Sequence, residues 1–190
     1  MKVLILRDRE SVSQEGISLH SKIKNALSAA GSDIEEVALS GDEIDPCIGC
    51  YSCWIKTPGI CFRTDDPANT LAARQARADV VVIISRITYG GYSYDIKSLL
   101  DRSIQNISPY FEIINGEMHH KKRYEKFPIL ISFGYGDFTS EEGGTFAAIT
   151  ERNAINMQAK KHCSFTVQND EDADSAVHSF AKMLAEGAPK

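Results

Sequence analysis

Five apolar runs punctuate the chain, and amphipathic stretches fill the intervals between them. Residues 79–85 (DVVVIIS) form a continuous β-branched run, which suits a strand covered on both faces. Residues 127–133 (FPILISF) repeat that pattern and end at Gly134. Residues 2–6 (KVLIL) predict a third such strand, residues 34–39 (IEEVAL) a more polar one near an edge, and residues 163–167 (CSFTV) the last. Residues 17–30 set Ile17, Ile23, Ala26, Leu27 and Ala30 near one helical face, and Gly31 stops the turn. Further helices are predicted over 67–77, 94–106, 141–160 and 172–186. The first of these follows Asp65-Asp66, a good cap region, with Pro67 suited to the first turn. Residues 107–126, rich in aromatic and basic side chains, predict one long irregular insertion, a functional loop or an interface segment.

Strands that alternate with helices in this way build a parallel sheet with helices on both faces. The expected fold is α/β: a flavodoxin-like doubly wound five-stranded parallel sheet in the order 2-1-3-4-5, three layers α/β/α. No internal repeat or linker divides the chain, so residues 1–190 are expected to form a single domain.

Such sheets bind ligands beyond the carboxyl ends of their strands, at the switch point. Three loops meet there. The first, RDRESVSQEGIS, offers Arg7, Arg9, Ser11, Ser13 and Ser18 beside a helix N-terminus, a setting that attracts phosphate; a polar loop with an ordinary cap at Ser18 is the plainer alternative. The second, SRITYGGYSYDIK, carries Gly90 and Gly91, which let backbone approach a ligand, and Tyr89 and Tyr92, whose flat faces suit an isoalloxazine ring; a turn with two surface tyrosines is the alternative. The third, GYGDFTSEEGG, sets Gly134, Tyr135 and Gly136 at the next strand end. The first strand is not followed by GxGxxG, which argues against a dinucleotide held in the Rossmann manner and favours FMN.

The chain has 190 residues, 43% of them hydrophobic and 25% charged, enough for a core with an ordinary polar surface. A net charge of −5 argues against a nucleic-acid footprint. No run approaches the ~18 apolar residues of a membrane span, and the apolar start is too short for a secretory signal. A cytoplasmic protein with neither membrane nor nucleic acid as partner is the expectation. In that compartment thiols stay reduced, so a cysteine cluster points to metal or redox chemistry. Four of the five cysteines, Cys47, Cys50, Cys53 and Cys61, fall in the spacing C-x2-C-x2-C-x7-C, with Pro58-Gly59 bending the chain before the last. A [4Fe–4S] cluster, zinc, and free or reversibly oxidised thiols all suit that set. Cys163 is expected to pack inside the last strand, and His119 and His120 to be polar residues of a solvated basic loop.

Three segments carry a family resemblance: PCIGCYSCWIKTPGICFRTDD at 46–66, ADVVVIISRITYGGYSYDIKSLLDR at 78–102 and GEMHHKKRYEKFP at 116–128. Together they resemble the NAD(P)H-dependent FMN reductase family of flavodoxin-like proteins, including its iron–sulfur flavoprotein branch. The resemblance implies an oxidoreductase that takes hydride from NAD(P)H onto FMN and passes electrons to a small-molecule or protein acceptor. It implies phosphate contacts at Ser11, Ser13 and Ser18, ring and ribityl contacts at Ile87, Thr88, Tyr89, Gly90 and Gly91, and a border at Gly134 to Gly136. It points the four cysteines toward a cluster. Two departures stand out: the first loop has no glycine before Gly16, where the family carries Gly-Ser-Pro-Arg, and Arg86 stands where the family often has proline. The flavin supplies the chemistry, so no protein group is named as catalytic. An electron carrier without turnover, and a scaffold that has lost FMN, are the rival functions. A homodimer or homotetramer is expected, with Tyr110, Phe111 and Tyr124 as anchors.

Overall fold

A computed structural model describes residues 1–9 and 14–187. Strand β1 (Lys2–Asp8) leads to helix α1 (Gln14–Ala29), strand β2 (Asp33–Leu39) and the cysteine loop, which holds the short helix α2 (Ser52–Ile55). Helix α3 (Ala68–Arg77), strand β3 (Val80–Arg86) and helix α4 (Tyr94–Arg102) follow. After strands β4 (Ile107–Ile114) and β5 (Glu117–Lys122) come β6 (Ile129–Tyr135), α5 (Ser140–Asn156), β7 (His162–Val167) and α6 (Asp170–Gly187).

The main sheet runs β2-β1-β3-β6-β7, every pair parallel. Counting only its own strands, this is the expected order 2-1-3-4-5. Alternation along β1 explains the layering. Val3 and Ile5 join a core with Leu19, Ile23 and Leu27 of α1 and with Phe180 of α6. Leu4 and Leu6 point the other way, into a core with Leu71 of α3, Leu99 of α4 and Phe146 of α5. Val80 to Ser85 are all buried, as an unbroken apolar run requires when helices cover both faces. Among the described residues no helix is long and apolar enough to cross a membrane.

Residues 107–122 are not irregular. They form an antiparallel hairpin, β4 against β5, closed by Asn115 at φ 52° and Gly116 at φ 85°. Both central residues of such a turn need positive φ, which Asn-Gly supplies. His119 and His120 therefore do not sit in a solvated loop. His119 is 4% exposed, with Nδ1 3.1 Å from Asn156 Oδ1 and Nε2 3.0 Å from Glu117 Oε2. His120 Nδ1 lies 2.7 Å from the Ser108 carbonyl, and its ring packs between Trp54 and Phe111. The helix expected over 94–106 tightens to a 3₁₀ turn at Ser103–Asn106, where the Asn106 amide donates to Ala72 O. The helix expected to reach residue 160 ends at Asn156, because Gln158 turns left-handed and its amide donates to Glu112 and His120 of the hairpin.

Candidate functional site

The switch point lies between β1 and β3. From their carboxyl ends α1 leaves toward the face shared with α6, and α4 toward the face shared with α3. Serine chemistry fixes the start of α4. Ser93 is its N-cap, accepting from Ile96 N–H, and its own N–H donates to Ser85 Oγ at 2.8 Å. Ser85 is fully buried at the end of β3, so turn and helix are tied to the sheet.

Asp8 holds the three central strand ends together. Its Oδ2 accepts the Arg86 N–H at 2.7 Å, and its Oδ1 accepts the Tyr135 hydroxyl at 2.7 Å. Asp8 and Tyr135 are each 1% exposed. Burial pushes the Asp8 carboxyl above the usual carboxylate range, against the pull of those two donors. Burial and the facing carboxylate together push the Tyr135 hydroxyl far up. Sequence reasoning passed over Asp8 because it sits in a charged run, RDRE, that looks like solvated loop.

The turn beyond β3 divides the expected flavin contacts into two groups. Thr88 and Gly91 exchange both backbone hydrogen bonds, at 3.0 and 2.9 Å, around Tyr89 at φ 49° and Gly90 at φ 75°. Arg86, Thr88 and Tyr89 are exposed, and Tyr89 at 94% presents almost its whole side chain. Ile87 and Tyr92 point inward instead. Ile87 is 5% exposed, and Tyr92 meets Phe146 edge-on with its hydroxyl near Asn153. Tyr92 is a core residue here, not a surface ring. Gly90 also serves packing: a Cβ there would lie 2.8 Å from Thr145 Cβ. Gly134 is filled against Phe146 and Ile87 in the same way, while Gly136 borders the Arg86 side chain.

In the first loop, Ser11 and Ser13 lie outside the described residues. Arg9 pairs with Glu43 at 2.7 Å. The Ser18 hydroxyl donates to Asp170 at 2.7 Å, tying α1 to the start of α6. The ring side of the site suits FMN: an exposed aromatic face stands on a closed turn, beside the Asp8 carboxyl, whose two oxygens are turned inward onto two donors.

The cysteine loop leaves the carboxyl edge of β2. Trp54 Nε1 donates to Ile104 O at 3.0 Å, anchoring the loop on the turn after α4. Cys47, Cys50, Cys53 and Cys61 all line one hollow, with Arg63, Arg102 and Ile104. Cys47 and Cys50 are exposed, Cys53 is buried and Cys61 is half-buried. Hydrogen bonding from Ser52 lowers the Cys50 thiol, and burial followed by the neighbouring thiols raises Cys53. Cys163, half-buried in β7, packs against the α1–α6 core as expected. Among the described residues no three His, Cys, Asp or Glu side chains stand close enough to hold one metal ion. Tetrahedral zinc needs sulfurs within about 4 Å of each other, since each sits ~2.3 Å from the ion. A cluster spreads its thiolates over separate irons, so a wider ring suits it better than zinc. The hollow encloses about 20 Å³, which leaves no room for an iron–sulfur cluster in this arrangement of the loop.

The floor of the hollow is charged. Arg102, 2% exposed, forks onto Asp66 at 2.5 and 3.1 Å and donates to Asp45 O at 2.8 Å. Asp66 also accepts Ala68 N–H at 2.9 Å, the capping role expected of it. The pairing of Arg102 with Asp66 joins residues 36 positions apart, so no local stretch of the sequence shows it.

No family model matches this sequence. A stretch of 79 residues is 35% identical to an iron–sulfur flavoprotein of Methanocaldococcus jannaschii, taking in 42% of this chain and 39% of that protein. The chain thus matches well under half the length of that curated relative. An NAD(P)H:quinone oxidoreductase from Methanothermobacter marburgensis superposes with a TM-score of 0.69 over 100% of this chain and 98% of its own, at 14% identity. The fold is flavodoxin-like. An FMN-dependent NADH-azoreductase from Bacillus anthracis, solved with FMN, gives 0.66 over 97% of this flavodoxin-like chain and 100% of its own, at 12% identity.

Proposed function

We propose that this protein is an FMN-dependent NAD(P)H oxidoreductase that passes electrons to a small-molecule or protein acceptor. The observation that carries the reading is the exposed Thr88–Tyr89 face on its closed turn at the β1/β3 switch point, where flavodoxin-like sheets take FMN. Thr88 and Tyr89 would border the isoalloxazine, and the segment between β1 and α1 would take the phosphate. FMN, when bound, supplies hydride acceptance and onward electron transfer. The protein's part is to position and shield. The Asp8–Tyr135–Arg86 bonds fix the strand ends at the switch point, and Ser85 with Ser93 fixes the turn. The azoreductase and quinone oxidoreductase relatives support this reaction class. The test is anaerobic addition of NADH or NADPH to FMN-loaded protein. The flavin band should bleach and then return on adding a quinone or an azo dye. A flavin that stays oxidised with both donors contradicts an NAD(P)H oxidoreductase.

A second reading adds to the first. Four thiols around one hollow support redox chemistry at Cys47, Cys50, Cys53 and Cys61, as dithiols that oxidise reversibly or, were the loop to rearrange, as ligands of an iron–sulfur cluster like that named for the matched flavoprotein. Helix α4 joins the two sites: it begins at the switch-point turn and ends at Arg102, about 12 Å away along its axis. The exposed Tyr110, Phe111, Ile113 and Met118 of the hairpin, with Ile48, Ile55 and Ile60 of the cysteine loop, support a homodimer or homotetramer built on this face.

A further inference from the structure

Helices α4 and α5 lie over β3 and β6 without closing on each other, and a slot of about 350 Å³ runs between them. That volume falls in the ~300–1,000 Å³ range of sites that hold small molecules. The slot is on the flank of the sheet. Its floor is Ile83 and Leu130, which lie within β3 and β6 and not at their carboxyl ends. Leu100 and Ile104 wall it from the α4 side, Ile149 and Met157 from the α5 side. Apolar walls on two sides suit a flat ring, and a thioether packs well against aromatic edges.

The polar side chains that line the slot include Asn106, Asn153 and Tyr92. Asn106 is 2% exposed. Its Nδ2 donates to Ala72 O at 2.9 Å, and because a carbonyl only accepts, this bond fixes which way the amide points. No described residue donates to its Oδ1. A buried acceptor in that state calls for a partner. Asn153 Nδ2 reaches the Tyr92 hydroxyl only at 3.4 Å, long for such a bond, and its Oδ1 accepts from no described residue. At the mouth, Lys97 Nζ lies 2.6 and 2.7 Å from the two oxygens of Asp101, so the charges there answer each other. The occupant that fits is flat and neutral, with N–H donors beside an acceptor on one edge.

We propose that the slot between α4 and α5 is a second small-molecule site, which takes a neutral aminopurine such as the base of adenosine. A carboxamide pairs with the amine edge of adenine through two bonds, its oxygen accepting from the exocyclic N–H and its N–H donating to the ring nitrogen alongside. Asn153 offers that pair of groups, and Asn106 Oδ1 is an acceptor for the amine's second N–H. The site is separate from the switch point, so the proposal does not rest on the flavin reading.

The test is titration calorimetry of the full chain, with and without saturating FMN, using adenosine and purine riboside, which lacks the exocyclic amine. Adenosine should bind saturably, with the same affinity when FMN is present, and purine riboside at least about tenfold more weakly. Asn153→Leu keeps the side-chain size and a good helix former while removing both polar groups, and should weaken adenosine binding at least about tenfold. Glu151→Gln, exposed on the same helix and outside the slot, is the control and should bind as the wild type does. Should Asn153→Leu fail to fold, the purine riboside comparison decides alone. Four results overturn the proposal: no saturable adenosine binding, equal affinity for purine riboside, a folded Asn153→Leu no weaker than the control, or adenosine displaced by FMN. A chain that binds adenosine in this pattern but takes up no FMN supports the slot and contradicts the flavin reading, so the two failures are distinguishable.

Discussion

Tyr135→Phe deletes one oxygen atom from the centre of the sheet's carboxyl edge. The lost bond is short, 2.7 Å from the hydroxyl to Asp8 Oδ1, and both residues are shut away from water. A hydrogen bond to a charged acceptor contributes ~1.5–3 kcal/mol and one between neutral groups ~0.5–1.5 kcal/mol. The cost of the substitution therefore depends on the protonation of Asp8. Burial raises the folded-state pKa of Asp8 above its unfolded value, so the folded chain holds that proton more tightly. The contribution of Asp8 to stability is then complete below about pH 4 and is lost as pH rises through the raised value. Above that value the carboxylate is ionised and most dependent on the hydroxyl. The variant should lose about 2 kcal/mol above the raised value, where the carboxylate is ionised, and about 1 kcal/mol below it. Urea unfolding with linear extrapolation reads this directly, and for a chain of this size each kcal/mol lowers Tm by roughly 2–4 °C. A loss under about 0.5 kcal/mol at every pH refutes the assignment of Asp8 as a buried carboxyl group held by this hydroxyl.

Three further outcomes are expected. Glu36 is held by Arg7 at 2.8 Å and Lys24 at 3.0 Å; although its burial pushes upward, these partners bring its pKa from 4.5 down to about 2. Its contribution, about 3 kcal/mol, is complete above about pH 4.5 and lost as pH falls toward 2, so Glu36→Gln should be less stable at neutral pH and show a flatter acid limb in urea titrations. Gly90→Ala must displace Thr145, 2.8 Å from the new Cβ, whereas Gly31→Ala, also at positive φ, meets nothing within 4 Å; thermal melts should show the first costing at least about 1 kcal/mol more than the second. Ile113 and Met118 face each other across the hairpin, each 67% exposed, and changing both to glutamate should convert a dimer or tetramer to monomer by light scattering without moving the urea midpoint. A monomeric wild type refutes the shared-face interface.

The strands of the main sheet were legible because burial on both faces writes them as unbroken apolar runs, and β1, β3 and β6 needed no tertiary information. The hairpin was not, because its pattern is inverted. Tyr110, Phe111, Ile113 and Met118 are exposed while His119 is buried, so apolar and polar positions misreport inside and outside. The Asn115-Gly116 turn was the one local signal for it. Within the candidate site, the sequence singled out Tyr89 and the four cysteines, which the structure sets on an exposed turn and around one hollow. The same reading misplaced Tyr92, since a tyrosine beside a glycine turn reads alike whether its ring meets solvent or Phe146. Asp8 and Arg102 depend on partners 127 and 36 positions away, and no window along the chain contains those pairs.

The account stands or falls on flavin at the switch point. The direct measurement is a titration of the chain with FMN, followed by the quenching of flavin fluorescence, beside Tyr89→Ala. Tyr89 is 94% exposed and its turn is closed by the backbones of Thr88 and Gly91, so its removal should leave Tm unchanged. Ring contact worth ~0.5–1.5 kcal/mol predicts saturable binding by the wild type and a roughly two- to twelvefold weaker Kd in the variant. The contradicting result is an absence of saturable binding, or an affinity that Tyr89→Ala leaves untouched.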